Sequence, residues 1–164
     1  MGHCIAGIVL KGNFDGEEAR KHDLFPLPLG FDLTLFHVDH YYSACRQALE
    51  KSEGYLPTTG HRGPILANEI AMAILMERIT GSGDPLFALI ATDYFGGVGD
   101  QLAQVYRGRE LANDSIFMIS PALKFLGVTA AAGLDEFDTV GLGDIRSQPD
   151  WLEKYEDLAD ELGV

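Results

Sequence analysis

The sequence predicts an α+β fold: one domain over residues 1–164, with a mixed or antiparallel sheet of about four to five strands packed with about four helices. Three observations predict it. Apolar runs of strand length stand at Cys4–Leu10 and Leu86–Phe95, each bounded by turn residues. Other segments repeat apolar residues at helical spacing. No internal repeat, low-complexity tract or linker separates two halves.

Taken in order, Cys4–Leu10 reads as a buried strand ended by Lys11-Gly12-Asn13. Asn13–Asp23 is charged and carries Gly16, which suits a loop or a short exposed helix. Pro26 and Pro28 set an extended segment leading into Phe31–Val38. There Phe31, Leu33 and Leu35 alternate with Asp32, Thr34 and Phe36, a strand pattern. Asp39 is placed to cap the next helix, whose expected apolar face is Tyr41, Cys45, Ala48 and Leu49. Gly54–Gly63 is a loop. Pro64–Ile79 is expected to be a helix ended by Thr80-Gly81, apolar on nearly every side and so covered on most sides, by the rest of the fold or by a second copy of the chain in a homo-oligomer.

Ser82-Gly83-Asp84-Pro85 is turn chemistry, and Leu86–Phe95 follows as a central strand. Gly96-Gly97-Val98-Gly99 breaks it. Gln101–Tyr106 fits both periods and leans towards strand, with Arg107-Gly108-Arg109 as a hairpin tip. Ser120-Pro121 and Gly127 frame a short helix as cap, first-turn proline and terminating glycine. Ala130–Gly143 is irregular, with a short strand expected near Thr139–Leu142. Ser147 and Asp150 resemble a capping pair for a last helix, Trp151–Leu162.

Composition narrows the function. Of 164 residues, 46% are hydrophobic and nine are Phe, which excludes a disordered chain. Acids outnumber bases 25 to 12 and the formal charge is −13, so a nucleic-acid or anionic-membrane binder is not expected. The first ten residues lack a basic n-region and an h-region of signal length, and no window has the ~18 apolar residues of a membrane span. The two cysteines, Cys4 and Cys45, read as reduced thiols of a cytoplasmic protein.

Four groups of residues are candidates for function. His37, Asp39 and His40 carry metal-ligating atoms at a strand-to-helix junction, but their spacing is poor and no partner motif occurs, so no metal or other cofactor is expected. Asp93-Tyr94-Phe95-Gly96-Gly97-Val98-Gly99-Asp100-Gln101 is the most distinctive stretch. It follows a buried strand like an anion-binding loop, yet no Walker lysine follows, and Leu102 stands where a dinucleotide fingerprint needs its third glycine. A tight turn satisfies the glycines equally well, and Asp93, Tyr94, Phe95, Asp100 and Gln101 remain as contact residues. Nucleophilic catalysis by Cys45 with His37 or His40, or by Ser43 or Ser120, has no supporting motif, and burial would raise the Cys45 thiol pKa, so no catalytic residue is assigned. Finally, residues 135–164 carry ten acids against Arg146 and Lys154. Glu153, Glu156, Asp157, Asp160 and Glu161 lie opposite the apolar stripe of the last helix, as a solvated face or a docking face for a basic partner.

At Ala91-Thr92-Asp93-Tyr94-Phe95-Gly96-Gly97-Val98-Gly99-Asp100-Gln101 the chain resembles small bacterial proteins, some of them similar to immunity proteins of polymorphic toxin systems. The resemblance implies a class and no particular contact residue: a small acidic protein that neutralises a toxin by binding it. The reading is therefore a non-enzymatic acidic binding protein that occludes a basic toxin or another protein partner. The alternative is a small-ligand-binding domain or minor enzyme, with its pocket near Gly96–Gly99 and His37/His40.

Overall fold

The computed structural model describes residues 2–164. Seven strands form one sheet: β1 (Gly2–His3), β2 (Ala6–Lys11), β3 (Leu27–Gly30), β4 (Leu33–His37), β5 (Leu86–Phe95), β6 (Val98–Arg107) and β7 (Glu110–Leu111). They lie in the order β3-β4-β2-β5-β6-β7, with β1 paired to the outer end of β5. Every strand pairing is antiparallel, and one isolated parallel bridge joins Cys4 to Ser147. The helices are α1 (Gly16–Lys21), α2 (His40–Leu49), α3 (Ile70–Thr80), α4 (Ile119–Phe125), α5 (Glu136–Thr139) and α6 (Lys154–Leu162), with 3-10 turns at Leu142–Asp144 and Asp150–Glu153. The α+β class stands; the strands and helices are more numerous than the sequence suggests, because β1, β7, α1 and α5 are too short to show a period.

The sheet is sandwiched. On one face, Ile8, Leu10, Phe36, Phe87, Leu89 and Tyr106 pack under α2, α3 and α6. On the other, Val9, Leu35, Ala88, Ile90, Ala103 and Val105 pack against α4 and Leu142. Successive side chains of a strand point to opposite faces, and here both faces are covered. That is why β2 and the inner half of β5 are apolar without alternation.

The junctions follow local chemistry. Asp39 caps α2 by accepting from Tyr42 N at 2.8 Å, and Gly81 ends α3 in the left-handed conformation at φ 69°. Gly96 and Gly97, at φ 61° and 79°, form the two-residue turn of a continuous β5–β6 hairpin that pairs Phe95 with Val98. Both positions need positive φ, which matches a type I′ turn. Gly108 turns the next hairpin at φ 62°.

Several expectations need correction. The helix expected over Pro64–Ile79 begins only at Ile70. Leu56 N donates to Asn68 O and Ile70 N donates to Gly54 O, so the 54–69 loop folds back and pairs with the segment assigned to the first turns. Burying Leu66 and Ala67 against the sheet holds that segment extended. The apolar face of α2 is rotated: Tyr42 and Cys45 are buried, while Leu49 is half exposed. Thr139–Leu142 is the end of α5 and the start of a 3-10 turn, not a strand. The final helix begins through a 3-10 turn with no side-chain cap: Pro149, which has no side-chain acceptor, stands at the capping position, and Ser147 lies two residues before it in a backbone bridge to Cys4. Ser120 lies inside α4, where its hydroxyl accepts from Phe137 N. Phe31 and Asp32 are not strand residues. They turn the β3–β4 hairpin at φ 54° and 61°.

Candidate functional site

The β5–β6 hairpin outruns the helices that cover its inner half. Side chains alternate along it, so Leu89, Ala91, Asp93 and Phe95 share one face with Leu102, Asp100 and Val98 of the partner strand. Ala91 and Leu102 are buried on that face. Beyond them the face is open: Phe95 is 80% exposed and Val98 79%, directly opposite each other at the tip. One step inward, Asp93 pairs with Asp100. Like charges directly across an antiparallel pair oppose each other. Among the described residues neither carboxylate has an ion-pair partner. Apolar surface left in water and rimmed by polar groups is a feature of protein contact sites.

The other face of the tip is anchored. Gln101 Nε2 donates to Tyr94 Oη at 3.0 Å, and Gln101 Oε1 accepts from Ile119 N at 2.8 Å. Gln101 therefore caps α4 from 18 residues away, filling a role the sequence assigns to Ser120. Its amide is engaged inside the fold, and Tyr94 is half-buried. Of the stretch singled out in the sequence, Asp93, Phe95 and Asp100 face solvent, whereas Tyr94 and Gln101 hold the hairpin in place. The glycines make a tight turn rather than a phosphate cradle.

At the foot of the hairpin lies a cleft of about 400 Å³. Cys4, Asp39, His40, Asp93 and Gln148 contribute polar groups to it, against apolar walls that include Pro64 and Ile65. Ile65 is 66% exposed. The wall near Gly63 is fixed by close approach: a Cβ on Gly63 would lie 2.8 Å from Leu102 Cβ. Burial and the neighbouring Asp93 charge both push the Cys4 thiol pKa up, the opposite of an activated nucleophile.

The histidine cluster disperses. His37 Nδ1 hydrogen-bonds Gln148 Oε1 at 2.8 Å, and burial pushes its pKa down against that bond. Asp39 caps α2, and the His40 ring lies tilted on Tyr41 at 4.1 Å. Among the described residues no three His, Cys, Asp or Glu side chains converge to hold a metal. Cys45 is buried, donates to Tyr155 O at 3.4 Å, and has its thiol pKa raised by burial. Ser43 donates to Glu69 Oε2 at 3.0 Å, within a half-buried carboxyl whose pKa burial raises.

Glu153, at the end of the 3-10 turn before α6, and Glu156, Asp157, Asp160 and Glu161 on α6 are all exposed, while Tyr155 and Ala159 face the core. A shallow depression of about 420 Å³ runs beside them, lined by Asp23, Lys154 and Asp157 among others. The Lys154 ammonium sits 2.7 Å from Asp23 Oδ2, so the helix's one cation is held by an acid of another segment. Val98, Ile65, Cys4 and Gln148 are the site residues the sequence reading missed. The Gly-Gly turn was the available signal for Val98. Nothing local marks the other three.

No family model, curated protein or solved structure matches the chain. Among the described residues no helix is long and apolar enough to cross a membrane.

Proposed function

We propose that this chain is a non-enzymatic acidic binding protein that docks on a basic protein partner and occludes it, in the manner of an immunity protein masking a toxin. The observation that carries the reading is the hairpin tip: Phe95 and Val98 exposed side by side behind the Asp93–Asp100 pair. Buried aromatic anchors supply most of the energy of protein interfaces, and complementary charge supplies orientation and speed. A basic partner would bury the anchors and neutralise the collar together. The exposed acids of α6 offer a second surface for steering. Cys4 and Cys45 are both free, which suits a reducing compartment such as the cytoplasm.

The test is co-purification from the source cell, comparing the native chain with a Phe95→Ser/Val98→Ser variant. A basic protein retained by the native chain, released by salt and lost by the variant supports the reading. Equal retention by both chains removes the hairpin tip from it. A second reading, a small-ligand site, is favoured by the cleft at the hairpin foot, whose volume lies in the usual range for ligand pockets.

A further inference from the structure

The cleft at the foot of the hairpin has a consistent chemistry. Its charged walls are the carboxylates of Asp39 and Asp93; no lysine or arginine lines it. The Asp39 carboxylate already accepts from Tyr42 N at the start of α2, so the helix N-terminus has its counter-charge within the chain. Asp93 has no such partner and faces Asp100 across the hairpin. The rest of the lining pairs apolar surface, Ile5, Ala6, Pro64, Ile65 and Ala91, with the Gln148 amide and the His40 ring. Such a site disfavours an anion and suits a cation carried on an aliphatic stem.

We propose that the cleft receives an arginine side chain of the protein partner, with its guanidinium on Asp93 and its stem against Pro64 and Ile65. This deepens the docking reading and rests on it. Three features favour arginine. The guanidinium is a planar fork that binds a carboxylate through two parallel N–H donors. It sheds water more readily than an ammonium, which suits a partly apolar cleft. His40, whose ring lies on Tyr41, lines the same cleft and adds a planar group for it to lie beside. Asp93 belongs to both the collar and the cleft, so one incoming arginine would answer the like-charge pair and seat the partner beside Phe95. The partner's arginine would then be fixed by position as well as by sign.

The probe is acetyl-arginine-amide, with acetyl-citrulline-amide as its neutral isostere. Two readouts report on the cleft: backbone amide shifts at Ala6, Ala91 and Thr92, and the rate at which iodoacetamide alkylates Cys4. Cys4 lines the cleft and Cys45 is buried, so alkylation of the folded protein reads Cys4. The arginine probe is expected to saturate in the ~10 mM range, to slow alkylation, and to bind at least about fivefold more tightly than the citrulline probe. Asp93→Asn should remove that preference and Asp93→Glu should keep it. Asp93 is exposed and its loss relieves a like-charge pair, so the Asn variant should fold. Equal binding of the two probes, tighter binding of acetyl-glutamate-amide, or no saturation overturns the proposal. The hairpin-tip reading is judged separately by the Phe95→Ser/Val98→Ser variant. A failed cleft with an intact tip is therefore distinguishable from failure of docking altogether.

Discussion

Glu50 is the point at which the electrostatics of the fold can be measured. It stands at the end of α2 and accepts from Arg78 Nη1 and Nη2, both at 2.8 Å, and from Arg46 Nη2 at 2.8 Å. The bidentate bond from Arg78, on α3, is the main cause that holds its carboxyl at about 2, against burial, which works the other way. At full value such a shift is worth about 3 kcal/mol. The Arg78 side chain is 35% exposed, and solvent screening reduces this to about 1–2 kcal/mol. The folded pKa lies below the unfolded one. The contribution is therefore complete above the ordinary carboxylate range and is lost as the pH falls towards 2. Urea unfolding of the native chain and of Glu50→Gln reads it as a difference, in which the effect of net charge on both chains largely cancels. The variant should be about 1–2 kcal/mol less stable at about pH 7, and the gap should shrink by more than half by about pH 3. A gap of the same size at both pH values would refute the reasoning, because it would mean that shape and not charge holds α2 to α3.

Other expectations are as direct. Gln104 is fully buried; its Oε1 accepts from Thr59 N at 2.6 Å and its Nε2 donates to Ile116 O at 3.2 Å. Gln104→Leu should cost about 1–3 kcal/mol and speed amide exchange at Thr59, since the half-buried Thr59 N–H and the buried Ile116 carbonyl both lose this partner. Phe31 and Asp32 turn the β3–β4 hairpin with positive φ, so replacing them by Asn-Gly should raise stability by about 1 kcal/mol in thermal unfolding. Phe95→Ser/Val98→Ser should leave unfolding within about 0.5 kcal/mol of the native chain, because both side chains are already in water. Under native conditions a thiol reagent should modify Cys4 and spare Cys45, with Cys45 reacting only after urea is added.

What the sequence made legible was local. The Asp39 cap, the Gly81 stop, the Gly96-Gly97 turn and the apolar runs of β2 and β5 each depend on a few adjacent residues, and each appears where it was expected. The failures are long-range. α3 starts late because Gly54 and Leu56, more than ten residues earlier, take up the backbone of the segment before it. α4 is capped by Gln101 rather than Ser120 because the hairpin delivers an amide to its N-terminus. The final helix has no side-chain cap because its first turn starts after Pro149, two residues beyond Ser147, which pairs through its backbone with distant Cys4. The site divides in the same way. Phe95 and its acidic neighbours were visible as a stretch, but the cleft brings Cys4, His40, Ile65, Asp93 and Gln148 together, and no spacing encodes that meeting.

Docking through the hairpin tip is tested most directly by placing a benzophenone amino acid at Phe95, with a second chain carrying it at Leu49, an exposed apolar position on α2. Irradiation in the source cell, followed by mass spectrometry of the adducts, identifies what covers each position. The expected result is a single basic protein joined at 95 and absent at 49, whose yield falls when a lysate is irradiated at raised salt instead of the cell. Adducts of the same pattern at both positions, or none at 95, would contradict a docking surface at the tip.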